Sequence, residues 1–332
     1  MRAVSAIRLR VGVLIAALGL AIAIALPAAP AVAQTYPSKP IRIIATSTPG
    51  SVVDVFGRAI GEHWSKAFGQ NVVVENRAGA GGTLAAGRAL AAEPDGYTVM
   101  VNTSAHVVAP FIFPNTGFDL IKDFAGVSPL AILPNVLVVP AQRPWKTVKD
   151  LVSAAQAKPG GYTYATAGTG TGTHMSAERF RLSAGITAVQ VTYKGSPEVM
   201  VDLIGGRVDW TLAPASTVLP MMRDGRIRGI ALSGLRRSPQ LPDLPTLRES
   251  GLHDPDFLFW VGVFMPSKAP RTTLMRLYEE TARALQMPEM RGRFERLGGE
   301  VLAMKPEEFD AFIRTQAELA GGIVKAANIK TN

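Results

Sequence analysis

The sequence predicts an α/β fold of two lobes, each a mostly parallel sheet flanked by helices, and three observations carry that reading. Short apolar runs alternate with stretches of helical period in units of roughly 30 residues, the pattern of βαβ connections. The alternation restarts near Asn135, so a second sheet is expected rather than one long one. No flexible linker separates the halves: residues 130–139 and 227–233, at the boundary, themselves read as strands. The lobes are therefore expected to hinge on chain that crosses between them.

The elements follow in order. Residues 41–45 form an apolar strand, and 46–51 a polar turn with Pro49 and Gly50. Val53, Phe56, Ile60, Trp64 and Phe68 recur at three or four residues, which predicts a helix that Gly69 ends. Strands over 72–74 and 97–101 enclose a helix over 83–92. The second lobe reads as strand 135–139, helix 148–157 closed by Pro159-Gly160, strand 162–165 and helix 174–183. Strand 189–192, helix 197–204, strand 208–212, helix 216–224 and strand 227–233 follow. A strand over 257–265 and helices over 272–286, 288–297 and 306–327 would return the chain to the first lobe.

The beginning of the chain reads as an address. Arg2, Arg8 and Arg10 precede an unbroken apolar run over 11–26, then Pro27 and Ala31-Val32-Ala33. This is the order of a secretory signal, with cleavage expected after Ala33. The run is too short for an anchor, because about 16 helical residues at about 1.5 Å each fall short of a hydrocarbon core of roughly 30 Å. The chain is then periplasmic. Cleavage removes three of the positive charges behind the formal +9 of the 332 residues. The absence of cysteine excludes disulfide scaffolds, thiolate nucleophiles and Cys-based metal sites.

Known chemistry-bearing motifs are missing. Gly168, Gly170 and Gly172 have the wrong spacing for a dinucleotide fingerprint, and there is no phosphate-binding P-loop. No G-x-S-x-G elbow or H-E-x-x-H pair occurs, and His63, His106, His174 and His253 are scattered. His174 and Glu178 are four apart on one helix, but capping or hydrogen bonding explains His174 better than a metal. The densest basic group, Arg223 to Arg237, is interrupted and lacks interleaved aromatics, so no nucleic acid is expected. No cofactor and no metal are expected either.

Four loops stand out: 46–51, 102–104, 165–174 and 213–216 are rich in Gly, Ser and Thr and lead from strands into helices. In a parallel sheet such loops gather at the carboxyl ends of the strands, where helix N-termini favour an anion. Capping is explanation enough for a single loop. The run from Ala165 to His174, almost pure Gly, Ala and Thr, exceeds what a cap needs and points to ligand contact. Asp54 falls in a first helical turn, where a carboxylate suits the dipole.

Six stretches carry a resemblance. Tyr36-Pro37-Ser38-Lys39-Pro40-Ile41-Arg42, the run from Val72 to Gly82, Pro94-Asp95-Gly96-Tyr97-Thr98, Tyr193-Lys194-Gly195-Ser196, the run from Leu241 to Thr246 and the run from Lys325 to Lys330 occur in family order. In these the chain resembles the Bug-type periplasmic receptors of tripartite tricarboxylate transporters. The resemblance implies a type II periplasmic-binding-protein-like fold with a ligand cleft between the lobes, no catalysis, and delivery of the solute to membrane permease subunits. It implies boundaries of 1–33 for the signal peptide, 34–133 and 231–332 for the first lobe, and 134–230 for the second.

Its partners would be a small organic acid, whether di- or tricarboxylate or aromatic carboxylate, and the permease, with the receptor a monomer. Carried over by position and joined to the loop reading, the ligand residues would be Thr46, Ser47, Thr48, Gly50, Ser51, Asp54, Thr103, Ser104, Ala167, Gly168, Thr169, Gly170, Thr173, His174 and Tyr193. The chain departs from the family in the first loop, where Thr46-Ser47-Thr48 replaces an aromatic-containing stretch, so a more polar ligand is expected. Ala213 stands where an Asp is frequent, which disfavours an amino-acid ligand. Two alternatives remain: an exported enzyme acting on a carboxylate with Asp54 or His174 as acid/base, and a sensory subunit docking on a membrane kinase.

Overall fold

Two sheets organise the chain in a computed structural model that describes residues 36–234 and 236–329. The expected signal peptide and its cleavage point lie outside the described residues. The first sheet begins with β1 (Ile41–Ala45), α1 (Val52–Phe68), β2 (Val72–Asn76), α2 (Thr83–Leu90) and β3 (Thr98–Thr103). It continues with α3 (Ala105–Ile112) and β4 (Phe124–Leu133). After Pro134 the chain enters the second sheet with β5 (Asn135–Pro140), α4 (Val148–Ala157), β6 (Thr163–Thr166), α5 (Gly172–Ala184) and β7 (Val189–Thr192). Then come α6 (Ser196–Ile204), β8 (Trp210–Pro214), α7 (Ala215–Arg223) and β9 (Ile227–Leu232). The return supplies β10 (Phe259–Pro266), α8 (Arg271–Gln286), α9 (Pro288–Arg296), β11 (Glu300–Val301) and α10 (Pro306–Ala326).

The strand orders are β11-β4-β10-β3-β1-β2 and β7-β6-β8-β5-β9. Both sheets are mixed, which corrects the expectation of mostly parallel pairing. β10 runs antiparallel to β3 and β4, and β5 antiparallel to β8 and β9. The reason is the crossing. A strand that arrives from the other sheet starts at the shared edge and must run away from it, whereas β1, β3, β6 and β8 run towards it. The two crossings are tied together: the Ser233 N–H donates to the Asn135 carbonyl at 2.7 Å, and the Asn135 N–H to the Ser233 hydroxyl at 3.2 Å.

Local chemistry sets the helix ends that matter below. Ser51 accepts the Asp54 N–H to start α1, and Gly69, at φ 65°, closes it with its N–H on the Ser65 carbonyl. Thr171 starts α5 in the same way by accepting the His174 N–H. Both faces of each sheet are covered. Ile41, Ile43, Phe56, Ile60 and Trp64 pack on one side of the first sheet, and Ile44, Met100, Val108, Trp260 and Phe309 on the other. Each such side chain contributes roughly 1.5–3 kcal/mol by leaving water. In the second lobe Leu137, Phe180 and Trp210 fill one side, and Val136, Leu203 and Val218 the other.

Candidate functional site

The carboxyl ends of β1 and β3 in one sheet and of β6 and β8 in the other bring the four Ser/Thr/Gly loops to a common edge. In the first, Thr46 is buried and its hydroxyl donates to Asn102 Oδ1 at 2.8 Å. The Ser47 carbonyl accepts from the Asn76 amide at 2.9 Å, and the Thr48 carbonyl accepts the Ser51 N–H at 3.2 Å. Gly50 has φ +76°, and its N–H donates to Asp54 Oδ2 at 2.9 Å. Asp54 is only 4% exposed and also takes the Arg58 Nε–H at 3.1 Å. Burial alone would raise the Asp54 carboxyl, but the hydrogen bonds from Arg58 and Gly50 outweigh it and hold it below the usual range. Asp54 thus shapes its own loop.

The loop after β3 is short. Thr103 accepts the Ala105 N–H at 3.2 Å, and the Ser104 N–H donates to the Trp260 carbonyl at 3.0 Å. The Ser104 hydroxyl is buried without a hydrogen-bond partner among the described residues, as are Asn102 Nδ2, Asn135 Oδ1 at a crossing and Ser216 Oγ in the first turn of α7. Buried polar groups without protein partners are rare in folded proteins, and an ordered water or a bound group satisfies many of them.

In the second lobe the loop after β6 winds tightly. Gly168 and Gly170 have φ +125° and +78°, which glycine tolerates. The Thr171 hydroxyl donates to the Gly168 carbonyl at 2.7 Å and lies 3.0 Å from that of Thr173. His174 is buried, and its Nδ1 accepts the Gly170 N–H at 3.1 Å, which places the ring proton on Nε2. Burial pushes the imidazole below its ordinary pKa against the pull of the Glu178 carboxylate, so it is neutral near pH 7. Glu178 is spent on Tyr164 and Arg181, and among the described residues no group of three or more His, Asp or Glu is placed to hold a metal.

The two lobes touch at these loops. A Cβ on Gly172 would run into the Phe259 ring and lie 2.6 Å from the Ser104 hydroxyl. One on Gly170 would lie 3.1 Å from Ile112 and 3.6 Å from Phe113, and one on Gly195 3.8 Å from the Thr48 hydroxyl. Thr46, Thr48, Ser104 and the run from Gly168 to His174 are thus brought to one region, with Ala167 and Thr169 on the same loop. The Tyr193 backbone lies beside Gly168, and its side chain is engaged within its own lobe. Its hydroxyl donates to Asp202 at 2.6 Å, and burial with that carboxylate pushes its pKa up to about 12.

Loops 46–51, 102–104 and 166–174 contain no Lys or Arg, so they offer backbone N–H groups, hydroxyls and an amide. Sequence reasoning missed Asn102, Asn135 and Ser216. Asn102 and Ser216 belong to two of the hydroxyl-rich loops, whose composition is their only signal, while Asn135 carries no local signal.

The likenesses agree with this geometry. The model of the tripartite tricarboxylate transporter family receptors matches residues 56–329. Protein BugT of Bordetella pertussis is 30% identical over 321 residues, covering 96% of this chain and 98% of that one. The structure of Rhodopseudomonas palustris Rpa4515 with adipate superposes with a TM-score of 0.85 at 28% identity, covering 90% of this chain and all of that one. MatC of the same organism with bound malate gives 0.81 at 27% identity, over 87% of this chain and all of that one. The two-lobed periplasmic-binding fold expected from the sequence is therefore the fold of this chain. The chain belongs to the tripartite tricarboxylate transporter receptor family.

Proposed function

We propose that this protein is an extracytoplasmic receptor that binds a small organic carboxylate between its lobes and delivers it to the membrane subunits of a tripartite transporter. It acts as a monomer in the periplasm, the lobes being 34–133 with 231–332 and 134–230, closing on the crossings at Pro134 and Ser233. The observation that carries the reading is the meeting of two donor-rich loops without Lys or Arg at helix N-termini, on the side of the first lobe that holds the unpartnered Asn102 Nδ2 and Ser104 hydroxyl. Such a surface suits an anion without requiring a cationic side chain. The adipate and malate of its relatives are of this chemical class.

Binding without turnover fits the same geometry. Asp54 and His174, the two side chains that could move a proton, each spend an acceptor atom holding a glycine N–H. Hydroxyls in the first loop favour a polar acid, and Ala213 leaves an amino group without a carboxylate partner. Native mass spectrometry of protein purified without refolding tests the reading. One co-purified organic acid per chain is expected; a co-purified amine or nucleotide, released on unfolding, would contradict it.

A further inference from the structure

The loops after β1, β2 and β3 meet at Asn102, and the contacts there fix which way its amide points. The Thr103 N–H lies 2.8 Å from one end of that amide. An N–H group only donates, so that end is the oxygen. The Thr46 hydroxyl, 2.8 Å from the same oxygen, therefore donates to it as well. The amide nitrogen faces the other way. Asn102 is 1% exposed, and Nδ2 has no partner among the described residues. The loop after β2 comes close at Gly82, whose φ of +95° favours glycine and whose Cβ would lie 3.0 Å from Nδ2.

Two positions on is Ser104, 0% exposed, with its hydroxyl equally unpartnered among the described residues. Ser104 lies just past the end of β3, at the start of α3. Ser104 faces the first turn of α5 across the lobe boundary. Two buried hydrogen-bonding groups thus lie two residues apart at the carboxyl end of β3, where Ser104 meets the other lobe, and the amide nitrogen can only donate.

We propose that Asn102 Nδ2, with the Ser104 hydroxyl two residues further on, determines specificity in the cleft by binding an ionised carboxylate end of the ligand and rejecting an ammonium or amide N–H. A carboxylate only accepts, whereas an N–H group would meet donor with donor. Thr46 is a positioning residue: with Thr103 it holds the amide oxygen away from the ligand. This inference rests on the carboxylate-receptor reading above.

Calorimetric titration with malate and the C4 to C6 dicarboxylates, including adipate, tests it on the full mature chain. Asn102→Asp keeps the oxygen that Thr103 holds and replaces the donor with an acceptor. Affinity should fall by about 100-fold, and by about 10-fold in Asn102→Ala, which removes the donor without adding charge. Thr46→Val should cost a few-fold. Circular dichroism and ligand-free melting report folding, and if the Asp variant does not fold, the Ala variant decides on the same terms. A wild type that binds none of these acids defeats the dicarboxylate form of the reading and this inference with it. A wild type that binds, beside folded Asn102 variants that bind equally well, defeats the inference alone.

Discussion

The two lobes present their loops with the same device and different charge. In each, a hydroxyl residue caps the helix, and the residue three further on reaches back to accept the N–H of the glycine just before the cap. In the first lobe these are Ser51, Asp54 and Gly50; in the second, Thr171, His174 and Gly170. The first acceptor is an anion held by Arg58, and the second is an imidazole kept neutral by burial. Asp54 therefore offsets the positive end of α1, while α5 has no acidic residue in its first turn and keeps its own. The lesson is that one loop architecture can be made neutral or anion-attracting by a single side chain. The second lobe is the one whose helix keeps its positive end, at a turn that faces the Ser104 hydroxyl.

Transplanting the first-lobe arrangement gives the largest expected effect. His174→Asp keeps an acceptor for Gly170 but puts a negative charge in the first turn of α5. Two like charges about 4 Å apart repel by about 4 kcal/mol near a protein surface, so affinity for a dicarboxylate should fall by about 100-fold or more. Calorimetry on a protein with unchanged circular dichroism would show it, and unaltered affinity would break the comparison.

A pair of glycines sharpens it next. Gly50 and Gly170 have nearly the same φ, +76° and +78°, but a Cβ meets nothing within 4 Å at Gly50 and meets Ile112 and Phe113 at Gly170. Gly50→Ala should cost only the strain of a left-handed residue, about 1–2 kcal/mol of stability, with affinity nearly kept. Gly170→Val adds a wedge between the lobes. It should lower affinity by about 10-fold or more and abolish ligand-dependent compaction in solution scattering. Equal effects at the two sites would contradict the assignment of Gly170 to the closing surface.

The smallest effect is on stability. A histidine with a lowered folded pKa stabilises fully above its unfolded value, about 6.5, and loses that contribution as pH falls towards the folded value. His174 behaves so, and so does His106, stacked on Phe264 and pushed down to about 3 by burial. Asp54, also lowered, keeps its contribution until pH falls below the ordinary carboxylate range. Melting temperature should therefore decline from about pH 6.5 downwards, and His174→Asn should make that slope shallower; Asp54→Asn should change it only at lower pH.

How much of this was legible depends on the range of the forces involved. α1 could be read because Val53, Phe56, Ile60 and Trp64 all face the core and Gly69 ends the helix locally. α4 matched the expected 148–157 because its Thr147–Asp150 capping box is written in four adjacent residues. α3 escaped because Ala105–Ile112 is buried almost all round and contains Pro110, which erases the periodic stripe. The hydroxyl-rich loops were visible as composition. The directions of Asn102, Asp54, His174 and Tyr193 were not, since each depends on a partner that only the folded chain, or the turn geometry of the loop itself, brings into reach.

The central claim is that a cleft of neutral donors selects ionised carboxylate. Titrating the wild-type chain with a bound dicarboxylate and with the diamide of the same acid tests it most directly. The account predicts one molecule of acid bound per chain and affinity for the diamide weaker by about 100-fold or more, because amide N–H groups would face the Asn102 donor and α5 would lose its anion. Equal affinity for acid and diamide would contradict it.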